Sequence, residues 1–317
     1  MPAAILWFVL GLVLLALGGD SVVKGASGLA RRFGASPFVA GLVLVAFGTS
    51  LPELAVNLRA MLEGQPGLAL GNAVGSNIVN FGLTLGAAAL AAPLLVRWRA
   101  LSPLLLLLLL GTLAVIGLGL DGSLGRIDGL LLLVAFVAVL AFAIARTRRE
   151  APELQDAIAA YAQTRTGLDL NLIRLAIAAV LMYFGAVLVI RHGLVLGSAM
   201  GLTPLLTGLL PVAIATALPE MAAAVVAARR GQGEMVAGHV IGSSLFNLFV
   251  IVGGMALWRP VPIPVSFIRF ELPAALLIAL MLVPMLRGDL RLSRGEGGVL
   301  VAAFAGWVAL ELLFLNS

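Results

Sequence analysis

Thr49, Ser50, Pro52, Glu53, Asn72, Ser76, Asn77 and Asn80 punctuate an otherwise apolar stretch from Gly41 to Gly86. The stretch recurs at Gly208 to Gly253, displaced by 167 positions with no gap. Counted from Pro37 and Pro204, about eighteen of roughly fifty aligned positions are identical, including Thr49/Thr216, Pro52/Pro219, Glu53/Glu220, Ser76/Ser243 and Asn80/Asn247. Two glutamates joined by hydroxyl, amide and backbone carbonyl oxygens, with no thiolate and at most one imidazole, make a hard donor set. Such oxygens suit calcium, the carbonyls and hydroxyls suit sodium, and zinc and copper prefer softer ligands. Two carboxylates close together in low dielectric repel, so an empty, fully ionised site is unfavourable. The site is predicted to exchange one set of cations for another: a divalent ion, sodium ions or protons.

The elements that hold these residues follow from composition. Of 317 residues, 62% are hydrophobic and 11% charged, and the mean hydropathy is +1.14, far from the soluble average. The chain reads as an integral membrane protein. At about 20 apolar residues per span, ten helices are predicted: Pro2 to Arg31, Pro37 to Leu62, Gly67 to Ala92, Leu101 to Leu120, Ile127 to Arg146, Leu172 to Ala199, Pro204 to Arg229, Glu234 to Leu257, Phe267 to Leu286 and Gly297 to Phe314. The first run has no basic segment before it and is too long for a signal-peptide core, so it is expected to be retained. The absence of cysteine excludes disulfides, thiol catalysis and sulfur-ligated metals. A formal charge of +5 could suggest nucleic acid, but the arginines are scattered among short loops, and no nucleic-acid face is predicted.

That scatter sets the topology. One set of alternate loops holds Arg31, Arg32, Arg97, Arg99, Arg146, Arg148, Arg149, Arg165, Arg174, Arg229, Arg230, Arg287, Arg291 and Arg294, against Arg59, Arg126, Arg191, Arg259 and Arg269 on the other side. The positive-inside rule makes the richer side cytoplasmic, so the chain is predicted in the cell (inner) membrane with both termini outside the cytoplasm. The polar stretch 147–171 reads as a cytoplasmic linker, with room for a short surface helix, between a first half (1–146, repeat 37–86) and a second (172–317, repeat 204–253). Five spans per half is an odd number, so the second half enters from the opposite side. The fold class predicted is all-α, two inverted five-helix repeats about a pseudo-two-fold axis in the membrane plane.

Glu53 and Glu220 lie well inside their spans, where a charge is costly and needs a partner. The preceding proline has no N–H, so the carbonyl four positions earlier (Gly48, Ala215) loses its helical bond and the turn is expected to open. Exposed backbone at membrane depth is tolerated only where it lines a cavity or is buried in protein, so both breaks should face inward. Asn72, Ser76 and Asn80, spaced by four, share one face of the next helix, as do His239, Ser243 and Asn247. Two polar stripes are therefore predicted to face two broken helices.

GTSLPEL at Gly48 to Leu54 and GNAVGSNIVN at Gly71 to Asn80, with their second copies, resemble the alpha-repeats of the cation/calcium exchanger superfamily, in the bacterial and archaeal form without regulatory domains. The resemblance implies an antiporter in which Glu53 and Glu220, with the carbonyls of Thr49 and Thr216, hold calcium. It also implies sodium ligation by the carbonyls of Ala46 and Ala213 and by the side chains of Thr49, Ser50, Ser76, Thr216 and Ser243, with Asn80 and Asn247 as the central pair. Three departures stand out: Ala215-Thr216-Ala217 replaces a second GTS, Asn247 stands where many members have Asp, and His239 aligns with Asn72. They keep a proton-coupled divalent antiporter open as an alternative, with His239 as the titrating group.

Remoter readings are a cation channel and an intramembrane hydrolase using Ser50 or Ser76 with His239 or His192. Neither explains a duplicated carboxylate. Expected partners are inorganic cations and the lipid bilayer, with no cofactor and no obligate protein partner. Asp20 and Lys24, four apart near the end of the first helix, read as an ion pair. Arg191, which aligns with Lys24, reads as its outward counterpart, and Glu271 with Arg269, and Glu311, read as interfacial.

Overall fold

The computed structural model describes residues 1–33, 50–147, 167–289 and 291–314. Helices of membrane-spanning length and composition are α1 (Pro2–Arg32), α3 (Pro66–Ala91), α4 (Trp98–Leu118), α5 (Arg126–Thr147), α6 (Leu168–Ala199), α7 (Pro204–Arg229), α8 (Gly233–Trp258), α9 (Phe267–Arg287) and α10 (Arg294–Phe314). Helix α2 is described over Leu51–Leu62; the first part of the predicted second helix, with Ala46 and Thr49, lies outside the described residues, as does most of the linker. Proline opens α2 and α3, where its missing N–H is an orphan in any case. Thr203 caps α7 by accepting from the Leu206 amide at 3.3 Å. Gly64 and Gly231, one repeat apart, both take positive φ (71° and 74°) in the reversal after α2 and α7, a conformation that suits glycine.

The duplication is written into the backbone. Helix α3 carries a π-helical turn at Asn80–Leu85, and α8 carries one at Asn247–Val252. Two short antiparallel ladders join the halves crosswise: β1 (Leu94–Leu95) pairs with β4 (Arg291–Leu292), and β2 (Ser123–Leu124) pairs with β3 (Val261–Pro262). Strand β1 of the first half corresponds to β3 of the second, and β2 to β4, so each ladder is the two-fold image of the other. This exchange is what inverted repeats require.

Helices α3 and α8 form the centre, with 83% of each apolar window buried, against 17% for α5 and 33% for α1. The centre is drawn tight by glycine. A Cβ on Gly71 would lie 2.1 Å from the Leu205 carbonyl oxygen, and one on Gly208 would lie 2.1 Å from that of Leu68, so α3 and the start of α7 touch backbone to backbone. Outside this core α1 and α6 run against each other, with Gly11 set against Gly185.

Two expectations need correction. The α-helix Ala213–Arg229 runs unbroken through Pro219, and the irregularity falls earlier, in a π-helical turn at Gly208–Val212 that contains Pro211. Pro219 still leaves the Ala215 carbonyl without its usual donor, but the helix stays regular around it, and the π-turn contains a proline of its own, Pro211. Glu271 and Glu311, read as interfacial, are also not exposed at the ends of their helices: they are buried, at 2% and 5% exposure, because α9 and α10 turn them inward between the helices. Lys24 and Asp20 do form an exposed ion pair at 2.6 Å.

Candidate cation site

The site is assembled where α2 and α7 cross α3 and α8. In the first repeat Glu53 falls in the first turn of α2, directly after Ser50 and Pro52, where the positive end of the helix favours a carboxylate. In the second, Glu220 follows Pro219 within the continuous α7. Both are buried, at 1% and 4% exposure. The two carboxyls lie within electrostatic reach of each other, and Thr216 stands beside Glu53. The Thr216 hydroxyl donates instead to the Ala213 carbonyl at 3.3 Å, so neither oxygen of Glu53 has a protein donor.

Helices α3 and α8 bind each other through their polar stripes. The Ser50 hydroxyl donates to Oγ of Ser243 at 2.7 Å, and the Asn80 amide donates to Ser243 Oγ at 3.1 Å and Ser244 Oγ at 3.4 Å. The Asn77 amide reaches the Ser244 carbonyl at 3.3 Å, and the Asn247 amide reaches Oδ1 of Asn77 at 3.2 Å. Most donors are thus consumed across the two-fold, Nδ2 of Asn72 being the exception, while acceptors are left over: Oε1 and Oε2 of Glu53, Oγ of Ser76, and Oδ1 of Asn72, Asn80 and Asn247 are buried without partners. A buried unpaired polar group costs about 1–3 kcal/mol. A set made almost wholly of orphaned oxygens is the complement of a cation, which accepts all of them at once.

Of the residues singled out from the sequence, the structure brings together Ser50, Glu53, Ser76, Asn80, Ala213, Thr216, Glu220, Ser243 and Asn247; Ala46 and Thr49 lie outside the described residues. His239 joins the rim, with Nε2 4.0 Å from Oε2 of Glu220 and 12% of its side chain exposed. Among the described residues no three His, Cys, Asp or Glu side chains gather as a metal cluster, so neutral oxygens must complete any coordination sphere. Sequence reasoning missed Ser244. Its signal was its place 167 residues after Asn77, which makes Asn77 and Ser244 a matched clamp between α3 and α8.

An inverted-repeat carrier with a buried, oxygen-lined, two-carboxylate centre is the class that this geometry defines. The family model described as sodium/calcium exchanger protein matches residues 3–145 and 170–313, and the chain belongs to that family. It is similar to the inner membrane protein YrbG of Escherichia coli (34% identity, covering 95% of this chain and 94% of that protein) and to the sodium/calcium exchanger MaX1 of Methanosarcina acetivorans (27%, covering 94% and 95%). Among solved structures it is similar to the sodium-calcium exchanger NCX_Mj soaked with Na+ and Sr2+, with a TM-score of 0.67 and 28% identity over 97% of this chain and 98% of that one. The chain is therefore a multi-pass membrane antiporter for cations.

Proposed function

We propose that this protein exchanges Ca2+ for Na+ by alternating access, with Glu53 and Glu220 holding the divalent ion between the repeats. The observation that carries the reading is the set of orphaned oxygens around a duplicated, buried carboxylate. Calcium takes six to eight oxygens in flexible geometry, and the carbonyls of Thr49 and Thr216 and the amide oxygens of Asn80 and Asn247 supplement the carboxylates. Sodium uses the carbonyls of Ala46 and Ala213 with the hydroxyls of Thr49, Ser50, Ser76, Thr216 and Ser243. Both termini lie outside the cytoplasm on the arginine distribution, in the cell membrane.

A second reading is supported by His239. An imidazole 4.0 Å from Glu220, together with the loss of a hydroxyl at Ala217, suits a site in which a proton replaces one sodium ion. The hydrolase reading has no such support, since the Ser50 hydroxyl is committed to Ser243 and that of Ser76 has no partner; neither is engaged by a histidine. Calcium-45 uptake into proteoliposomes, driven in parallel by an outward sodium or an outward proton gradient, decides between the readings. Uptake that follows sodium and vanishes in Glu220→Gln supports sodium/calcium exchange. Uptake that follows only the proton gradient replaces it with proton coupling, and uptake unchanged in Glu220→Gln sinks both.

A further inference from the structure

Helices α9 and α10 carry a second pair of buried carboxylates, remote in sequence from the repeats and unused by the cation site. Glu271 closes the π-helical turn Phe267–Glu271, and Glu311 lies one turn before the end of α10. Both are therefore near the membrane face that bears the C-terminus. Oε2 of Glu271 and Oε1 of Glu311 are buried without hydrogen-bond partners, and Glu311 feels the charge of Glu271. A third orphan sits with them: the indole N–H of Trp307, 4% exposed and one turn before Glu311, stands beside that carboxyl and is itself unpartnered.

Among the described residues no base neutralises the pair. Helix α3, which packs against both α9 and α10, has no ionisable residue from Pro66 to Ala91. Arg99 of α4, Arg287 of α9 and Arg294 and Glu296 of α10 belong to the opposite ends of their helices; Glu296 accepts from Ser293. Arg269, on the turn of Glu271, is exposed, and Asp121 beyond the end of α4 is exposed and accepts from the Ser123 amide at 3.1 Å. No ion pair joins Glu271 or Glu311 to any of these among the described residues. At the offset of the repeat the matching positions are Leu104 and Ile144. The pair therefore has no counterpart in the first half.

Two ionised carboxylates buried among membrane helices without a countercharge are costly, so something positive must be held there. Calcium would need six or more oxygens; the described polar groups are two carboxyls, the Ser266 hydroxyl beside Glu271 and an indole donor, which repels a metal. A proton needs no more than a carboxyl oxygen, and burial or a like charge nearby favours the protonated form of a carboxyl group. We propose that Glu271 and Glu311 form a proton-binding site filled from the face that bears the termini, and that its occupancy controls the rate of exchange. The path to the cation site is continuous: the Trp307 ring lies 5.9 Å from that of Phe304, Phe304 Cβ would sit 2.7 Å from a Cβ on Gly82, and Gly82 belongs to the π-turn that begins at Asn80. Loss of the proton sets like charges against each other between α9 and α10 and loosens α10 from that turn.

Intrinsic fluorescence tests occupancy without any assumption about transport. The Trp307 signal, isolated as wild type minus Trp307→Phe, should change with pH between about pH 4 and pH 9, since a protonated carboxyl quenches a neighbouring indole, and the change should disappear in Glu311→Gln and in Glu271→Gln. A pH-independent Trp307 signal, in protein that remains monodisperse, overturns the proton site. Terbium luminescence sensitised by Trp307 in Glu53→Gln/Glu220→Gln protein, and lost on adding Glu271→Gln, would show a metal site and overturn it as well. Control of exchange rests on the antiporter reading and is tested separately, by the pH dependence of maximal calcium-45 flux with pH varied on one face at a time. Glu271→Gln should flatten that dependence severalfold while leaving the half-saturating calcium concentration unchanged, and an unaltered profile overturns the control.

Discussion

The half of the site built on Ser243 and the half built on Ser76 occupy equivalent positions and differ in one atom's worth of chemistry. Ser243 accepts from Ser50 at 2.7 Å and from Asn80 at 3.1 Å. Ser76, its two-fold mate, has no partner, because the position matching Ser50 is Ala217 and the Asn247 amide turns to Asn77 instead. Glu53 and Glu220, Pro52 and Pro219, and the π-turns that begin at Asn80 and Asn247 obey the pseudo-symmetry, and the neutral ligands do not. On the proposed function, duplication supplies a symmetric frame for the divalent ion, while a single missing hydroxyl makes the two proposed places for sodium unequal.

The comparison breaks first at the carboxylates. Glu53→Gln and Glu220→Gln should each lower calcium-45 uptake by at least the roughly 100-fold that even supporting groups of a metal site can cost. A variant of either kind that transports normally would remove the symmetric frame altogether. Next in size, Ser243→Ala, which frees both the Ser50 hydroxyl and one Asn80 donor, should cost about tenfold in sodium-driven uptake, and Ser76→Ala clearly less. Equal losses would show that the asymmetry has no consequence for ion binding. Smaller again, Ala217→Ser offers Ser76 the partner that Ser243 already has. It should steepen the sodium dependence of exchange, measured as the Hill slope of uptake against the sodium gradient; an unchanged slope would place the missing hydroxyl outside the sodium path. The smallest effect is expected from His239→Asn, which should leave sodium-driven uptake unchanged and abolish any proton-driven component. Loss of sodium-driven uptake would instead make His239 part of the cation site.

Much of this was legible beforehand because membranes restrict what a chain can do. Spans announce themselves by composition, and helix bounds such as Pro204–Arg229 and Leu168–Ala199 fall at or near the predicted ends. A carboxylate repeated beside a proline inside an apolar run has few explanations, which is why Glu53 and Glu220 stood out. The Pro219 turn was misjudged, since a proline removes one hydrogen bond without having to break the helix around it. Here a π-turn at Gly208–Val212 lies against α3 at glycines that allow backbone contact. Glu271 and Glu311 were misplaced for a related reason: proximity to a helix end suggests the interface, whereas exposure depends on the angle at which that helix faces its neighbours.

The sequence alone determined the membrane class, the ten-helix count, the inverted duplication and the duplicated carboxylates, because each is a statement about periodicity, length or repetition along one chain. Only the tertiary structure decided which donors are spent across the two-fold, that Ser244 clamps Asn77, that Ser76 is left without a partner and that Glu271 and Glu311 share an interior. Those are properties of atoms brought together from positions more than a hundred residues apart or turned inward by packing. Hydrogen bonding and electrostatics act over a few ångströms of space, a distance that the order of residues does not record.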